Sequence, residues 1–479
     1  MRVRRRVSAS PHWTFAGGGI QEDPRPAHSK RGLRRRYDEA VIRAWHKAAE
    51  IAAQTPPSRN RAVDFLRAAS ISVVVLGHWM MAGPWVDENG SHITHMLAVA
   101  PWTQWLTWGL QVMPVFFFVG GYANGISWEA ALRERTPYRE WLRGRLERLC
   151  RPVLPLLIFW GVAAAIAGAA GVPAEMIRVG SNTALVPTWF LAVYFVVVIL
   201  APLAHAAWQR FGMATFWAPA AAAVGFDAIY FGAELHAPGW ANYFCVWLAV
   251  HQLGFAWRAG RFAARARAAL WCAGGFALLV ALTEFGPWPR SLVGVPGEVI
   301  SNTTPPHLPL LALSMFLFGA VMLVEPALRR WLARPAPWTA AVLMNGSIMT
   351  LFLWHSGAMM LLFGGAILLG GVGLAAIPGS TEWWLLRPLW IAASVGATAF
   401  FLTIFARFER GVRTQRPAPP AWMMIAGVLA AGAGLSQLAM HGVGGEGPLG
   451  LRLGPLLLAI GGLLLALAPG RSAAAPARG

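Results

Sequence analysis

Twelve apolar segments of near-bilayer length constrain this sequence more than any other feature. A membrane-spanning helix needs roughly 20 mostly apolar residues. The segments that qualify are 65–84, 103–124, 152–172, 186–205, 213–232, 240–257, 268–286, 307–325, 340–363, 386–406, 420–440 and 451–469. Inside a bilayer the backbone must satisfy its own hydrogen bonds, so these segments are expected to be helical. The sequence therefore predicts an all-α integral membrane protein with about 12 transmembrane helices. The ninth segment runs into a glycine-rich stretch that either extends the helix or folds back.

The composition of the chain excludes an ordinary soluble protein. Of its 479 residues, 56% are hydrophobic and only 13% are charged, whereas about a quarter of the residues of a soluble protein carry charge. The net charge of +19 would suggest nucleic-acid binding in a soluble chain. Here the arginines cluster between apolar segments, which the positive-inside rule explains. We expect membrane lipid as a partner and no nucleic acid.

The arginines also predict the orientation. Every second loop is basic, and these loops contain Arg133, Arg135, Arg139, Arg143, Arg145, Arg148, Arg210, Arg258, Arg261, Arg265, Arg267, Arg329, Arg330, Arg334, Arg407, Arg410, Arg413 and Arg416. The loops between them are nearly free of basic residues. Basic loops stay in the cytoplasm, so we expect a cytoplasmic-membrane protein with both termini in the cytoplasm.

Five regions follow from this pattern. Residues 1–60 form a basic cytoplasmic arm without the apolar core of a signal peptide, and the arm is expected to be largely disordered, with a juxtamembrane helix from about residue 37 to 53. Residues 61–410 contain ten spans, and residues 411–420 form a linker rich in Pro and Arg. Residues 421–470 form an accessory transmembrane hairpin, and residues 471–479 form a cytoplasmic tail.

The first span contains three ionisable residues, which are costly inside a membrane and mark function by default. Asp64 and Arg67 are three residues apart and are expected to pair at the cytoplasmic end of the helix. His78 follows Arg67 by eleven residues, close to three helical turns. Both side chains then lie on nearly the same helix face, roughly 16 Å apart along the axis. They look like the two ends of a polar channel.

Two further ionisable residues are expected at the depth of His78. Asp227 and His355 each follow the start of a span by a similar number of residues, and all three spans enter from the same side. An imidazole is the usual general base near neutral pH, so the three residues predict an acid–base site. The alternative is that each bonds only a backbone carbonyl or a neighbouring helix. His251 lies nearer the end of its segment and is expected at the interface.

We expect no metal site and no permanently bound cofactor. Cys150, Cys245 and Cys272 are scattered without the spacing of a zinc site or a disulfide framework. The pair His92 and His95 lies in a loop and is a weak metal signal.

Several segments together resemble acyltransferase family 3. Asp64, Arg67 and His78 are similar to that family's first-span signature, in which an Arg precedes a His by eleven positions. Residues 113–122 resemble the family's second-span Phe-Phe motif, and residues 145–152 resemble its arginine-rich start of the third span. Residues 188–191 resemble its Trp-x-Leu start of the fourth span, and residues 351–355 resemble its late Tyr-Leu-x-His motif. The similarity covers roughly residues 59–408 and accounts for ten spans.

The resemblance implies transfer of an acyl group, often acetyl, from cytosolic acyl-coenzyme A. The acceptor it implies is a hydroxyl of a glycan, a lipid-linked sugar or a secreted small molecule. The arginines expected to bind the donor phosphates are Arg67, Arg145, Arg148 and Arg151; His78, with His355 and Asp227, is expected to do the chemistry, and Asp64 and Trp189 to support the site. The chain departs from the family at Gly120, where many members have Ser, and at Tyr194, where many have Glu.

A transporter or lipid-handling carrier is the alternative function. Twelve spans with both termini inside would fit a carrier built from two six-span halves. The two halves of this chain show no similarity to each other, and the loop after the second span lacks the basic signature of such carriers. An arrangement of ten spans plus two fits the enzyme better.

Overall fold

The computed structural model describes residues 28–409 and 417–470. The first 27 residues of the predicted arm, residues 411–416 of the predicted linker and the predicted tail 471–479 lie outside the described residues.

The described chain is almost entirely helical. Its helices are α1 (His28–Ala53), α2 (Arg61–Met81), α3 (Met96–Val99), α4 (Thr107–Leu110), α5 (Met113–Arg133), α6 (Tyr138–Cys150), α7 (Val153–Ala169), α8 (Ala174–Leu185), α9 (Thr188–Phe211), α10 (Ala214–Gly232), α11 (Asn242–Arg258), α12 (Arg265–Phe285), α13 (Leu308–Leu332), α14 (Pro335–Asn345), α15 (Ile348–Leu368), α16 (Thr381–Phe405), α17 (Ala421–His441) and α18 (Leu453–Ala466). The two strands are β1 (Ala82–Asp87) and β2 (Gly90–His95). This confirms the predicted all-α fold class.

Within the described residues, nine helical stretches are long and apolar enough to cross a membrane. They are Arg61–Met81, Pro101–Arg133, Tyr138–Ala169, Thr188–Phe211, Arg265–Phe285, Leu308–Leu332, Ile348–Leu368, Thr381–Phe408 and Ala421–His441. The other three predicted segments are also helical. Helices α10, α11 and α18 have 19, 17 and 14 residues. The protein is therefore a multi-pass membrane protein.

The second span lies further along the chain than predicted. The sequence placed it at residues 103–124, whereas the structure has a helical stretch over Pro101–Arg133 that consists of the long helix α5 and short helical turns at residues 101–110 in front of it. Trp102 and Trp105 in these turns are exposed, as expected of aromatic residues at a membrane interface. Helix α5 continues to Arg133, and its Glu129 pairs with Arg258 and His205.

The loop after α2 folds into a hairpin that the sequence analysis did not predict. β1 and β2 pair antiparallel, with Asp87 opposite Gly90. Gly90 has a φ of +117°, a conformation that residues with a side chain rarely adopt. The side chain of Asp87 accepts a hydrogen bond from His92 at 2.8 Å, and this bond lowers the pKa of Asp87. His92 is thereby held by a carboxylate and stacks on Trp85.

The predicted ninth span is interrupted near its start. Residues 340–345 end α14, and the second part begins at Ile348 as α15, after a break at Gly346 and Ser347. The glycine-rich stretch that follows does not extend α15. It folds back, and the carbonyl of Leu374 accepts a hydrogen bond from the amide of Val86 in β1 at 2.8 Å.

Part of the predicted disordered arm is helical. Helix α1 covers residues 28–53, so the predicted juxtamembrane helix begins earlier than expected. Its end is anchored: Ala52 is buried against Leu332, Trp338 and Ala341, and Trp338 donates a hydrogen bond to Thr55 at 3.0 Å.

The C-terminal helices α17 and α18 pack closely against each other and against the ten-span bundle. A Cβ on Gly462 would lie 2.4 Å from the backbone of Ala431, so only glycine permits this approach. Thr188 at the start of α9 donates to the carbonyl of Leu435 in α17 at 3.3 Å. Gly161 of α7 lies against Leu456 of α18. The hairpin is thus attached to the edge of the bundle formed by α7 and α9.

Candidate active site

Two histidines from distant parts of the chain meet inside the bundle. His78 lies near the end of α2 and His355 lies in α15, and Nδ1 of His78 is 2.8 Å from Nε2 of His355. The two rings are nearly parallel, with centroids 5.0 Å apart. His355 is completely buried. The structure therefore brings together two of the three residues that the sequence places at one depth.

The hydrogen bonds of His355 define its tautomer. Its Nδ1 lies 2.7 Å from the carbonyl oxygen of Phe352. A carbonyl only accepts hydrogen bonds, so Nδ1 carries the hydrogen and Nε2 has the lone pair in the neutral ring. The hydroxyl of Ser356 is 3.0 Å from that Nε2 and 3.3 Å from Nδ1 of His78. Three polar groups therefore converge at one point.

Asp227 does not join this group, which corrects the expectation of a three-residue acid–base site. One carboxylate oxygen of Asp227 accepts from Asn242 at 2.8 Å and lies 2.7 Å from Nδ1 of His307. The other accepts from the amide of Leu308 at 2.9 Å, at the start of α13. A carboxylate is favourable at a helix N-terminus. Asp227 therefore braces α10 against α11 and α13.

Asp64 and Arg67 pair at the opposite end of α2 from His78. Nη2 of Arg67 donates to Asp64 at 3.0 Å. The Nε and Nη2 groups of Arg67 also donate to the side-chain oxygen of Asn345, at 3.0 and 2.8 Å. Asn345 in turn donates to the carbonyl of Asp64 at 3.0 Å. The end of α14 therefore fixes the guanidinium of Arg67 in place.

Arg145 and Arg148 of α6 lie close to Arg67. The charges of Arg67 and Arg148 both act on Arg145, although like charges repel. Arg145 is held by a hydrogen bond to Asn124, whereas Nε of Arg148, which is exposed, donates to the carbonyl of Gly144 in its own helix at 3.1 Å. We call Arg67, Arg145 and Arg148 the arginine cluster. Three cations held together favour an anionic ligand.

Asn124 connects this cluster to a buried histidine. Its amide nitrogen lies 3.2 Å from Nε2 of His251, which is completely buried. His251 therefore faces the interior of the bundle, and its interfacial depth stays a prediction. Helices α5 and α11 pack so closely here that a Cβ on Gly121 would lie 2.0 Å from the carbonyl oxygen of His251. This contact keeps Asn124 oriented toward Arg145.

Arg151 faces another surface. Its guanidinium pairs with Glu147 at 3.4 Å and lines a groove of about 660 Å³ between α7 and residues 405–408. The walls of this groove include the apolar side chains of Leu154, Ile158 and Phe159. The predicted grouping of Arg151 with the donor-binding arginines is therefore revised.

A row of aromatic rings leads from the arginine cluster to His355. Tyr194 lies near Arg145 and Arg148, and its ring stacks on Phe190 with centroids 5.3 Å apart. Phe190 meets Phe352 at 5.6 Å, and Phe352 meets His355 at 6.2 Å. The row links the two polar ends through α9 and α15.

Trp189 belongs to a neighbouring aromatic group. Its ring lies 6.2 Å from Trp247 and 6.5 Å from Tyr243, and Trp247 stacks on Phe117 at 4.2 Å. Trp189 therefore packs beside Phe190, and its role as a supporting residue of the site stays a prediction.

The sequence analysis missed Arg387. This residue of α16 is only 3% exposed, and its Nη2 donates to the carbonyls of Trp79 and Ala82. Its guanidinium also lies over the ring of Trp383, 4.3 Å from the centroid. A cation at the C-terminus of a helix is stabilising. Arg387 therefore holds the last turn of α2, the turn that carries His78. The only signal in the sequence was an arginine at the start of an apolar segment.

Glu409 was also missed, and it acts on the helix that carries His355. Its carboxylate accepts hydrogen bonds from the amides of Met349 and Thr350 at 3.1 and 3.0 Å, at the N-terminus of α15. Burial raises the pKa of Glu409, while these hydrogen bonds and the charge of Arg67 oppose the rise. A carboxylate from the end of the tenth span thus fixes α15 beside the arginine cluster.

Comparison with known proteins identifies the class. A family model described as an acyltransferase domain matches residues 60–407, which include the arginine cluster and both histidines. No curated protein and no solved structure matches the chain. The match covers most of the sequence, so this is a membrane acyltransferase. The chain belongs to acyltransferase family 3.

Proposed function

We propose that the protein transfers a short acyl group, acetyl in the simplest case, from cytosolic acyl-coenzyme A to a hydroxyl of a glycan, a lipid-linked sugar or a secreted small molecule. The observation that supports this most is the separation of two polar sites along α2. The arginine cluster surrounds one end of the helix, and the pair His78 and His355 lies near the other, at a helical rise of roughly 16 Å from Arg67. Such an arrangement suits a long donor that has phosphates at one end and a thioester at the other.

The arginine cluster supports binding of the donor phosphates. Guanidinium groups bind phosphate oxygens with two parallel hydrogen bonds. The guanidinium groups of Arg67 and Arg145 are already oriented by Asn345 and Asn124, so little side-chain entropy is lost when the donor binds. Arg148, which bonds only its own helix backbone in the described contacts, supplies the most adaptable group.

The histidine pair supports general-base catalysis by His78. When Nδ1 of His78 donates to the lone pair on Nε2 of His355, Nε2 of His78 is left unprotonated. That nitrogen takes the proton from the acceptor hydroxyl as its oxygen attacks the acyl carbonyl. His355, held by the carbonyl of Phe352, selects the tautomer and stabilises the imidazolium that forms. This is the role that a carboxylate has in a catalytic triad.

Topology supports delivery of the acceptor from outside the cell. Positive-inside asymmetry puts the arginine cluster at the cytoplasmic end, so His78 lies in the outer half. The hairpin of β1 and β2 follows α2 directly and would stand beside the acceptor's path.

The function is tested with membranes and with the purified protein. Membranes from cells that express the protein are incubated with [¹⁴C-acetyl]-coenzyme A, and label is measured in glycans, lipids and small molecules. A variant with both histidines replaced, His78→Ala/His355→Ala, is the matched control. We expect label in one hydroxyl-bearing product with the wild type only. If instead liposomes containing the protein accumulate a solute while no acetyl group is transferred, the carrier alternative is correct and the proposal is wrong.

A further inference from the structure

Ser356 lies against both imidazoles of the candidate site. Its Oγ is 3.0 Å from Nε2 of His355 and 3.3 Å from Nδ1 of His78, and the residue is 2% exposed. Neither the sequence analysis nor the proposed general-base role of His78 uses this hydroxyl.

The position of this hydroxyl differs from that of Ser72 and Ser314, which also lie in helices. Serine in a membrane helix commonly donates to the carbonyl four residues earlier. Ser72 bonds Ala68 in this way at 3.0 Å, and Ser314 bonds Leu310 at 2.7 Å. For Ser356 that carbonyl belongs to Phe352, which already bonds Nδ1 of His355. The hydroxyl of Ser356 is thus directed to the imidazole nitrogens.

This geometry is that of an activated nucleophile. A serine becomes nucleophilic when an adjacent base takes its proton and a third group orients that base. Here Nε2 of His355 is the base, since its Nδ1 carries the hydrogen bonded to Phe352. The carbonyl of Phe352 is the orienting group.

We propose that Ser356 accepts the acyl group and holds it as an ester between donor and acceptor. This inference rests on the proposed function and deepens it: the reaction becomes two half-reactions, so donor and acceptor need not be bound at the same time. That separation suits two substrates that reach the site from opposite sides of a membrane.

The first half-reaction begins from the other tautomer of His78, with its hydrogen on Nε2, and the hydroxyl hydrogen of Ser356 is then shared by the lone pairs on Nε2 of His355 and Nδ1 of His78. Oγ of Ser356 loses its proton to Nε2 of His355 and attacks the thioester carbonyl. The carbon–sulfur bond breaks, and Nε2 of His78 gives its proton to the departing sulfur of coenzyme A. The proton on His355 crosses the 2.8 Å contact to Nδ1 of His78. The products are acyl-serine and free coenzyme A, and His78 now has a free Nε2.

The second half-reaction returns the protons. Nε2 of His78 takes the proton of the acceptor hydroxyl, whose oxygen attacks the acyl-serine carbonyl. The bond from the carbonyl carbon to Oγ breaks. The hydrogen on Nδ1 of His78 passes to Nε2 of His355 and from there to Oγ of Ser356. The starting tautomers are restored, and the product is the acylated acceptor.

Isotope exchange tests this proposal without an identified acceptor. Purified full-length protein is incubated with acetyl-coenzyme A and tritiated coenzyme A, and label entering acetyl-coenzyme A is measured. An acyl-serine requires exchange in the wild type. Ser356→Ala should lower the exchange by at least about 10³-fold, as loss of a nucleophile does. Ser314→Ala, which removes another buried serine, is the matched control and should exchange like the wild type.

Trapping identifies the acylated residue. With [¹⁴C-acetyl]-coenzyme A and no acceptor, we expect label on the peptide that contains Ser356. Ser356→Cys, which keeps a nucleophile if the alanine variant folds poorly, should carry a thioester cleaved by hydroxylamine. If the wild type transfers acetyl groups in membranes but shows neither exchange nor label at Ser356, the acyl-serine is wrong and direct transfer is right. If the wild type shows no transfer, exchange or label, the proposed function fails as well.

Discussion

The ring of Tyr194 occupies the space beside Gly120. A Cβ on Gly120 would lie 2.9 Å from the hydroxyl oxygen of Tyr194, closer than two such atoms normally approach. The two positions at which the chain departs from its family are therefore in contact. A methyl group at position 120 would therefore displace the ring of Tyr194, which packs against Phe190.

This contact predicts control of acyl chain length. Tyr194→Ala should raise kcat/KM for butanoyl-coenzyme A relative to acetyl-coenzyme A by about 10-fold, because the two additional methylenes of the butanoyl chain contribute roughly 0.8 kcal/mol each when buried. Gly120→Ala should lower turnover, and adding Tyr194→Ala should restore it, because the effects of substitutions at two residues in contact are not additive. Leu203→Ala, at an exposed position of the same helix, is the control. If Tyr194→Ala leaves the ratio of the two kcat/KM values unchanged, Tyr194 does not line the path of the acyl chain.

The arginine cluster predicts which arginines bind the donor. Arg148→Ala should raise the Kd for coenzyme A by about 10–100-fold, the range expected for lost charge-assisted hydrogen bonds. Arg148→Lys should recover only part of the affinity, because an ammonium group lacks the planar fork. Isothermal titration in detergent measures both. Arg151→Ala should change the Kd much less, because Arg151 pairs with Glu147 and lines the groove beside α7. Equal losses for Arg148 and Arg151 would contradict the cluster as defined.

The contacts of Arg387 predict that replacing this residue lowers kcat per folded molecule and does not only destabilise the fold. Arg387→Met removes the donor to the carbonyls of Trp79 and Ala82, so the last turn of α2 is no longer fixed. A small displacement of His78 can cost about 10²-fold in kcat, while KM for the donor should stay the same. Arg387→Lys keeps one cationic donor and should recover part of the rate. Arg290→Met, at an exposed ion pair with Glu284, is the control. Full kcat per folded molecule in Arg387→Met would show that Arg387 only stabilises the fold.

The predicted orientation of the chain in the membrane determines which single cysteines an impermeant reagent can label. Single cysteines at Ser91 and Glu134, both exposed, are placed in a background without the three native cysteines. On intact cells an impermeant maleimide should react at Ser91 and not at Glu134, and both should react after permeabilisation. The reverse pattern would put the arginine cluster outside the cell, where acyl-coenzyme A is absent.

Two of the three residues predicted at one depth do meet, but the sequence does not predict direction around a helix axis. His78, Asp227 and His355 were placed at one level from their distance to the start of each span. The structure pairs the two histidines and turns Asp227 toward His307, because the tilt and rotation of a helix depend on its neighbours. In contrast, Asp64 and Arg67 are three residues apart in one helix, and such a pair follows from helix geometry alone.

Other features of the site depend on contacts between distant segments. Asn345, Arg387 and Glu409 each hold a functional helix through a residue about 60 or more positions away in the chain. The hydrophobic periodicity of the sequence does not indicate which distant residue such a side chain contacts. The hairpin of β1 and β2 did have a local signal, because Asn89-Gly90 is a common turn sequence.

The central claim is that the donor binds at one end of α2 and that base catalysis takes place near the other end. Measuring donor binding and turnover in two variants tests this claim. His78→Ala should lower acetyl transfer by about 10²–10⁴-fold, because only the transition state loses its proton acceptor. Its Kd for coenzyme A should equal that of the wild type. Arg148→Ala should show the opposite, a raised Kd with kcat largely kept at saturating donor. If His78→Ala loses donor binding while Arg148→Ala binds normally, the assignment of the two ends of α2 is inverted and the account is wrong.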